Sequence, residues 1–217
     1  TFLNYVGGPA FQTFVGWLDV PLRTALFTSR AREELAARHP TDHYRRLLAA
    51  QDRSAPLLDR LMEAHIQTIL PDDYCSKVDL ATMSVSLEAR SPFLDLDLFE
   101  LAMQIPIRHR FAGGKPKALL RMLAQKYLPP ATVTRPKLGF VTPVGRWLRS
   151  DWSDLVDRFV LGPNVEQRGW FNLATLQKVV AAQRAGKGHD YLIWSLLILE
   201  LWLQMTVDGT LDSDTRI

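Results

Sequence analysis

Apolar residues at three- and four-residue spacing, cut at intervals by proline, constrain the fold of this chain more than any other feature. Leu57, Leu58, Leu61, His65, Ile66 and Ile69 keep that spacing, which marks a helix with one buried face and makes His65 a core histidine. Ser54 is placed to cap it, Pro56 fits its first turn, and Pro71 ends it. A second helix opens at Asp72 or Asp73, whose carboxylates suit the positive end of a helix dipole. It runs to about Ala89, ahead of the break at Pro92. A third, over 95–105, turns Leu98, Leu101, Ala102 and Ile105 inward and stops at Pro106. Gly113-Gly114 then makes a turn into a helix over 116–128, with Leu119, Leu120, Leu123 and Tyr127 as its core face. Pro129-Pro130 close that helix, and 132–143 reads as an irregular loop. Further helices are expected at 144–149, 151–161, 173–185 (capped by Asn172, stopped by Gly186) and 190–207. No stretch alternates long enough to build a sheet. The expectation is a mainly α fold, with one helical domain over 1–207 and a polar tail over 208–217.

Composition narrows the function classes. The 217 residues are 47% hydrophobic and 23% charged, a balance that folds rather than staying disordered. A formal net charge of +3 permits a phosphate-bearing ligand. No Lys/Arg run is interleaved with aromatics, so no nucleic-acid partner is expected. Cys75 is the only cysteine, which excludes an intrachain disulfide and a cysteine-based zinc site and fits a reducing, cytoplasmic compartment. The start Thr1-Phe2-Leu3-Asn4-Tyr5 lacks the basic flank and apolar run of a signal peptide. The apolar run 192–203 is short for a membrane span and is interrupted by Ser195 and Glu200, so it reads as a core helix and no membrane is expected. His39 and His43 have ligand-like spacing, but Pro40 spoils a shared helical face, and no metal site is expected.

Three clusters of charge could carry chemistry. The first lies in Leu70–Asp95, where Lys77, Asp79, Glu88, Arg90 and Asp95 sit among apolar residues; such charges are either an ion-pair network or the wall of a site. On a helix, Lys77 and Asp79 face different directions, and Glu88 and Arg90 likewise diverge. The second is Gly113-Gly114-Lys115-Pro116-Lys117 with Arg121. Lys117 and Arg121 are four apart at a helix start, where free N–H groups and the dipole favour an anion; the alternative is a solvated basic turn. The third is Arg135 with Lys137, in a loop that Gly139 loosens and Phe140 anchors. A lysine on such a loop could close over a site and neutralise developing negative charge, or be merely exposed.

Taken in order, these clusters resemble the synthetase domain of glutamine-hydrolysing asparagine synthetases and their relatives, the β-lactam synthetases and lasso-peptide cyclases. The resemblance rests on LPDDYCSKVDLATMSVSLEARSPFLD, then IPIRHRFAGGKPKALLR, then LPPATVTRPKLGFVTP followed by WLR, and last LIWSLLILELW. It is clearest over 55–207. It implies that a carboxylate is activated by ATP and Mg²⁺ as an acyl-adenylate, pyrophosphate leaves, and ammonia or an amine attacks. By position, Glu88 resembles the carboxylate that serves the acyl-transfer step in the β-lactam-forming branch, and Lys137 the lysine that stabilises the adenylation and acyl-transfer transition states. Lys115, Lys117, Arg121 and Arg135 would lie toward pyrophosphate or nucleotide. Lys77, Asp79, Arg90 and Asp95 match motif positions as site-wall or structural charges.

The family's Ser-Gly-Gly-x-Asp-Ser loop and Gly-Glu-Gly-x-Asp-Glu-like loop are not in this sequence, nor is the glutaminase domain's N-terminal cysteine. The chain therefore reads as the helical C-terminal half of an α/β adenine-nucleotide α-hydrolase-like (ATP-pyrophosphatase) synthetase domain. The nucleotide-binding half and a glutaminase domain are its expected partners, and a small carboxylate its substrate. Alone it should bind ATP weakly, turn nothing over, and self-associate through uncovered apolar surface, which light scattering reads as a species larger than a monomer. The competing readings are a non-catalytic helical interaction module and a cyclase acting on a peptide or antibiotic precursor.

Overall fold

The computed structural model describes residues 20–37, 42–114, 116–136 and 142–212. Among these the regular structure is helical, as expected, and no strand forms; an isolated antiparallel bridge joins Phe27 and Phe171. Contacts divide the chain into a flanking unit, Thr1–His43 with Phe140–Ile217, and a unit central in sequence, Tyr44–Gly139.

The flanking unit holds a well-formed core. Leu148, Val156, Phe159, Leu176, Val180, Ile193 and Leu197 are almost wholly buried in one cluster. The expected stop and start signals operate here. Asn172 accepts a hydrogen bond from the Thr175 N–H at 3.0 Å and caps Leu173–Arg184. Val144–Arg149 forms as expected. Asp190–Trp202 continues through a π-helical turn at Leu203–Val207. The expected 151–161 helix is a short turn, Ser153–Leu155, followed by π-helix over Val156–Val160. Gly162 follows it, where an added Cβ would stand 1.9 Å from the Arg158 carbonyl oxygen; only glycine fits there. The Phe27–Phe171 bridge is flanked by Thr28 N–H to Trp170 O (2.9 Å) and Asn172 N–H to Leu26 O (2.7 Å), which clamp the Val20–Leu26 helix. Stacking of Trp152 on Trp194, centroids 5.4 Å apart, adds apolar contact beside the core.

The central unit differs. Leu57–Ile66 forms as expected, but without the expected cap: Ser54 donates its hydroxyl to the Asp52 carboxylate, and Pro56 stands at the N-cap. Arg110 reaches the Asp59 carboxylate of this helix and the Met62 sulfur at 3.5 Å, tying Ile107–Arg110 to it. Pro71 does not end the run but opens a π-helical segment, Leu70–Cys75, that leads into Ser76–Met83. Pro130 similarly begins a helix, Pro130–Thr134, where loop was expected; proline suits a first helical position because its missing N–H is not needed there. The 116–128 helix shortens to Ala118–Ala124.

Among the described residues of the central unit only Leu48, Ala64, Thr68 and Ala118 are buried. The expected core faces are open. Leu98, Leu101, Ala102, Leu119, Leu120, Leu123 and Tyr127 are all exposed, and so is His65. The apolar spacing was real, but within this unit no described layer packs against those faces.

Ser76–Met83 ends six residues before the expected Ala89. The reason is a Schellman closure: Leu87 N–H bonds Thr82 O at 3.0 Å and Ser86 N–H bonds Met83 O at 3.0 Å, with Ser86 left-handed at φ 59°. That position normally takes glycine, so Ser86 carries backbone strain. Ser86→Gly is therefore expected to raise the stability of the central unit by about 1 kcal/mol, measured by urea unfolding. A loss of stability would show that the Ser86 side chain does more than tolerate the turn.

Candidate functional site

The Schellman closure decides the geometry of the first cluster. Past it, Leu87–Ser91 is non-helical, and Ser91 is extended (φ −90°, ψ 122°) before a 3-10 turn at Pro92–Leu94. Outside a helix, side chains two apart can share a side of the chain. Glu88 and Arg90 do so: the Arg90 Nε–H donates to Glu88 Oε1 at 2.9 Å. The expected divergence of these two residues is corrected by this early helix exit.

The other charges of this segment turn elsewhere. Lys77 pairs along its own helix with Asp73 at 3.2 Å and lies 5.2 Å from the centre of the Tyr74 ring. Asp79 is exposed, and its side chain bonds nothing among the described residues. Asp95 is an N-cap: its Oδ1 accepts the Leu98 N–H at 3.1 Å and starts Leu96–Gln104. None of these charges is buried in this structure, so Leu70–Asp95 is not the buried ion-pair network that its composition allowed. It is an exposed ribbon in which the apolar residues are open as well. Val85 is 73% exposed, Leu87 59% and Phe93 63%.

The basic cluster is also rearranged. Gly113 and Gly114 both have positive φ (64° and 72°), and Lys117 joins them in the left-handed region at φ 59°. Lys117 is thus the residue before Ala118–Ala124 and not part of its first turn, so it does not share a helical face with Arg121. Arg121 donates from Nη1 to Val133 O at 2.9 Å, joining Ala118–Ala124 to Pro130–Thr134. Arg135 is exposed just past that second helix. Lys115 and Lys137 lie outside the described residues, as does His39. Among the described residues, no hydrogen bond or ion pair links Glu88 and Arg90 to Lys117, Arg121 or Arg135. Among the described residues no three or more His, Cys, Asp or Glu residues come together as a metal-binding group.

Two polar clusters of the flanking unit were not singled out from sequence. Arg168 grips Glu200 with two bonds, Nε to Oε2 at 2.9 Å and Nη2 to Oε1 at 3.1 Å, and also pairs with Asp208. Gln204 donates to Glu200 Oε1 at 2.8 Å. These carboxylates, Glu200 first, push the Arg168 pKa further above its already high range. Nearby, the Gln183 amide donates to Asp190 Oδ1 at 2.9 Å and to Gly145 O at 3.3 Å, and Arg149 donates to the same Asp190 oxygen at 3.0 Å. Glu200 inside an apolar run was the visible signal for the first cluster; nothing local marked the second.

Comparison with known proteins bears on what this arrangement is for. The family model described as Asparagine synthase matches residues 12–204. A Mycobacterium tuberculosis protein, whose name assigns it provisionally as a glutamine-hydrolysing asparagine synthetase, is 30% identical over 151 residues. Its Mycobacterium bovis counterpart matches equally, and both alignments cover 69% of this chain and 23% of the relative. The glutamine-hydrolysing asparagine synthetase 1 of Bacillus subtilis is 28% identical over 152 residues, 70% of this chain and 24% of that protein. The chain thus spans about a quarter of the length of the curated relatives it matches. No solved structure gives a significant match.

Proposed function

Because this chain belongs to the asparagine synthase family, we propose that it forms the helical C-terminal part of an ATP-dependent amide ligase and supplies one wall of its active site. The observation that carries this is the match over 12–204, a range that includes all three charge clusters. In this reading a small carboxylate is activated as an acyl-adenylate and then attacked by ammonia released from glutamine, or by an amine.

Glu88 accepts a proton during acyl transfer. Lys137 offsets charge that develops when pyrophosphate and later AMP separate. Lys115, Lys117, Arg121 and Arg135 line the pyrophosphate and nucleotide side. Lys77 and Asp95 hold the frame through their bonds to Asp73 and to the Leu98 N–H; Asp79 belongs to the site wall.

Mg²⁺ in such sites is held by one or two carboxylates together with substrate phosphates, which are proposed to lie with the nucleotide-binding half, and no step here runs through it. That half is also the proposed cover for exposed apolar residues of the central unit, among them Leu80, Val85, Leu96, Leu101, Met122 and Tyr127. A glutaminase domain is the proposed nitrogen source and the cytoplasm the proposed compartment. The experiment is carboxylate-dependent ATP–pyrophosphate exchange by the intact protein. Exchange by the intact protein, with none by residues 1–217 alone, is expected. An intact protein silent with every carboxylate offered overturns the reading.

A further inference from the structure

We propose that Arg90 is the positioning residue for Glu88, holding one carboxylate oxygen so that the other takes the proton of the attacking nitrogen. The inference rests on the reading of Glu88 as the proton acceptor. The Arg90 Nε–H bonds Glu88 Oε1 at 2.9 Å, and among the described residues Oε2 accepts no hydrogen bond. One oxygen is therefore fixed and the other is free. Of the five charged motif residues, Lys77 is spent on Asp73 and does not compete for Glu88, and Asp95 is spent on its helix cap and does not compete for Arg90.

An ion pair this open is worth little in water. Its surroundings change that. Val85, Leu87, Phe93 and Leu94 bracket the pair in sequence and are themselves exposed, and exposed apolar residues of this kind mark a surface that a partner covers. Once it is covered, a lone carboxylate would be costly, and the arginine offsets that cost with a directional, charge-assisted bond. The Schellman turn at Ser86 supplies the geometry, because a helix continued to Ala89 would have sent the two side chains apart.

The nitrogen lone pair forms a bond to the acyl carbon. The bond from that carbon to the AMP phosphate oxygen breaks, and its electron pair leaves with AMP. One N–H proton passes to Glu88 Oε2, giving the amide, AMP and a neutral Glu88. Arg90 touches none of the reacting atoms; it fixes which oxygen receives the proton.

The test uses the intact protein and follows two steps separately, ATP–pyrophosphate exchange for adenylation and amide release for acyl transfer. Arg90→Gln is expected to lower kcat for amide release about tenfold to a hundredfold while leaving exchange and the carboxylate KM unchanged. Arg90→Lys, which keeps the charge, should recover part of the loss. The double variant with Glu88→Gln should be no slower than Glu88→Gln alone, because both changes disable one device. Equal loss of exchange and amide release in Arg90→Gln overturns the proposal in favour of a structural role, as does a double variant whose losses multiply. If Glu88→Gln leaves amide release unchanged, the reading of Glu88 fails with it. If Glu88→Gln is slow and Arg90→Gln is not, only the role of Arg90 fails.

Discussion

Glu88→Gln in the intact protein is expected to slow amide release by about 10²–10⁴-fold, the range that a positioned general base contributes. Glutamine keeps the size of the side chain and offers Arg90 a neutral oxygen, so the local frame should survive. What it loses is the ability to take a proton from the attacking nitrogen. Adenylation precedes that attack and should continue, so exchange of labelled pyrophosphate into ATP stays near its starting rate. Stopped-time assays of amide and of exchange, run on one preparation, separate the two steps. Equal collapse of both would place Glu88 in the fold or in adenylation. No effect on either would remove it from the site.

Arg168→Ala is expected to cost the flanking unit about 3–5 kcal/mol, read as a lower urea midpoint, because it strands a buried carboxylate. The Glu200 side chain is only 4% exposed and depends on Arg168 for two of its hydrogen bonds. The same guanidinium pairs with Asp208, so one truncation frees both Glu200 and the end of the Leu203–Val207 turn. A second variant isolates the cause. Replacing Arg168 with methionine and Glu200 with leucine together removes the charge along with its partner and should recover much of the loss. Arginine titration does not release this clamp near neutrality. The Glu200 and Asp208 carboxylates raise the Arg168 pKa above the usual arginine range, so its contribution is complete throughout the ordinary pH range and lost only beyond it, at strongly alkaline pH. A loss below about 1 kcal/mol for Arg168→Ala, typical of an exposed pair, would contradict the burial of Glu200.

The parts of the fold that were legible in the sequence are those with local signals. Asn172, Gly186 and the apolar run after Asp190 delimit the last two long helices because caps and stops act within a few residues. Ser86 hid the end of Ser76–Met83, since a left-handed stop is normally written as glycine. Pro71 and Pro130 were read as terminators, but proline is equally at home in a first turn, and each here opens a segment. The spacing of Leu98, Leu101, Leu119 and Leu123 marks apolar faces, yet all four residues are exposed. Periodicity reports which face is apolar, not whether its partner lies in the same chain. At the site, the motif singled out Glu88 and Arg90 by identity, but their pairing depended on where the helix stopped. Glu200 stands out as a charge inside an apolar run, but its partner Arg168 lies 32 residues away, and nothing local to either residue names the other.

ATP–pyrophosphate exchange by the intact protein, with and without Lys137→Ala, tests whether this chain lends its lysine to a carboxylate-activating site. Carboxylate-dependent exchange is expected to fall by about 10²–10³-fold in the variant, the loss expected when one preorganised charge is removed from a transition state. Exchange that proceeds undiminished without Lys137 would contradict that role.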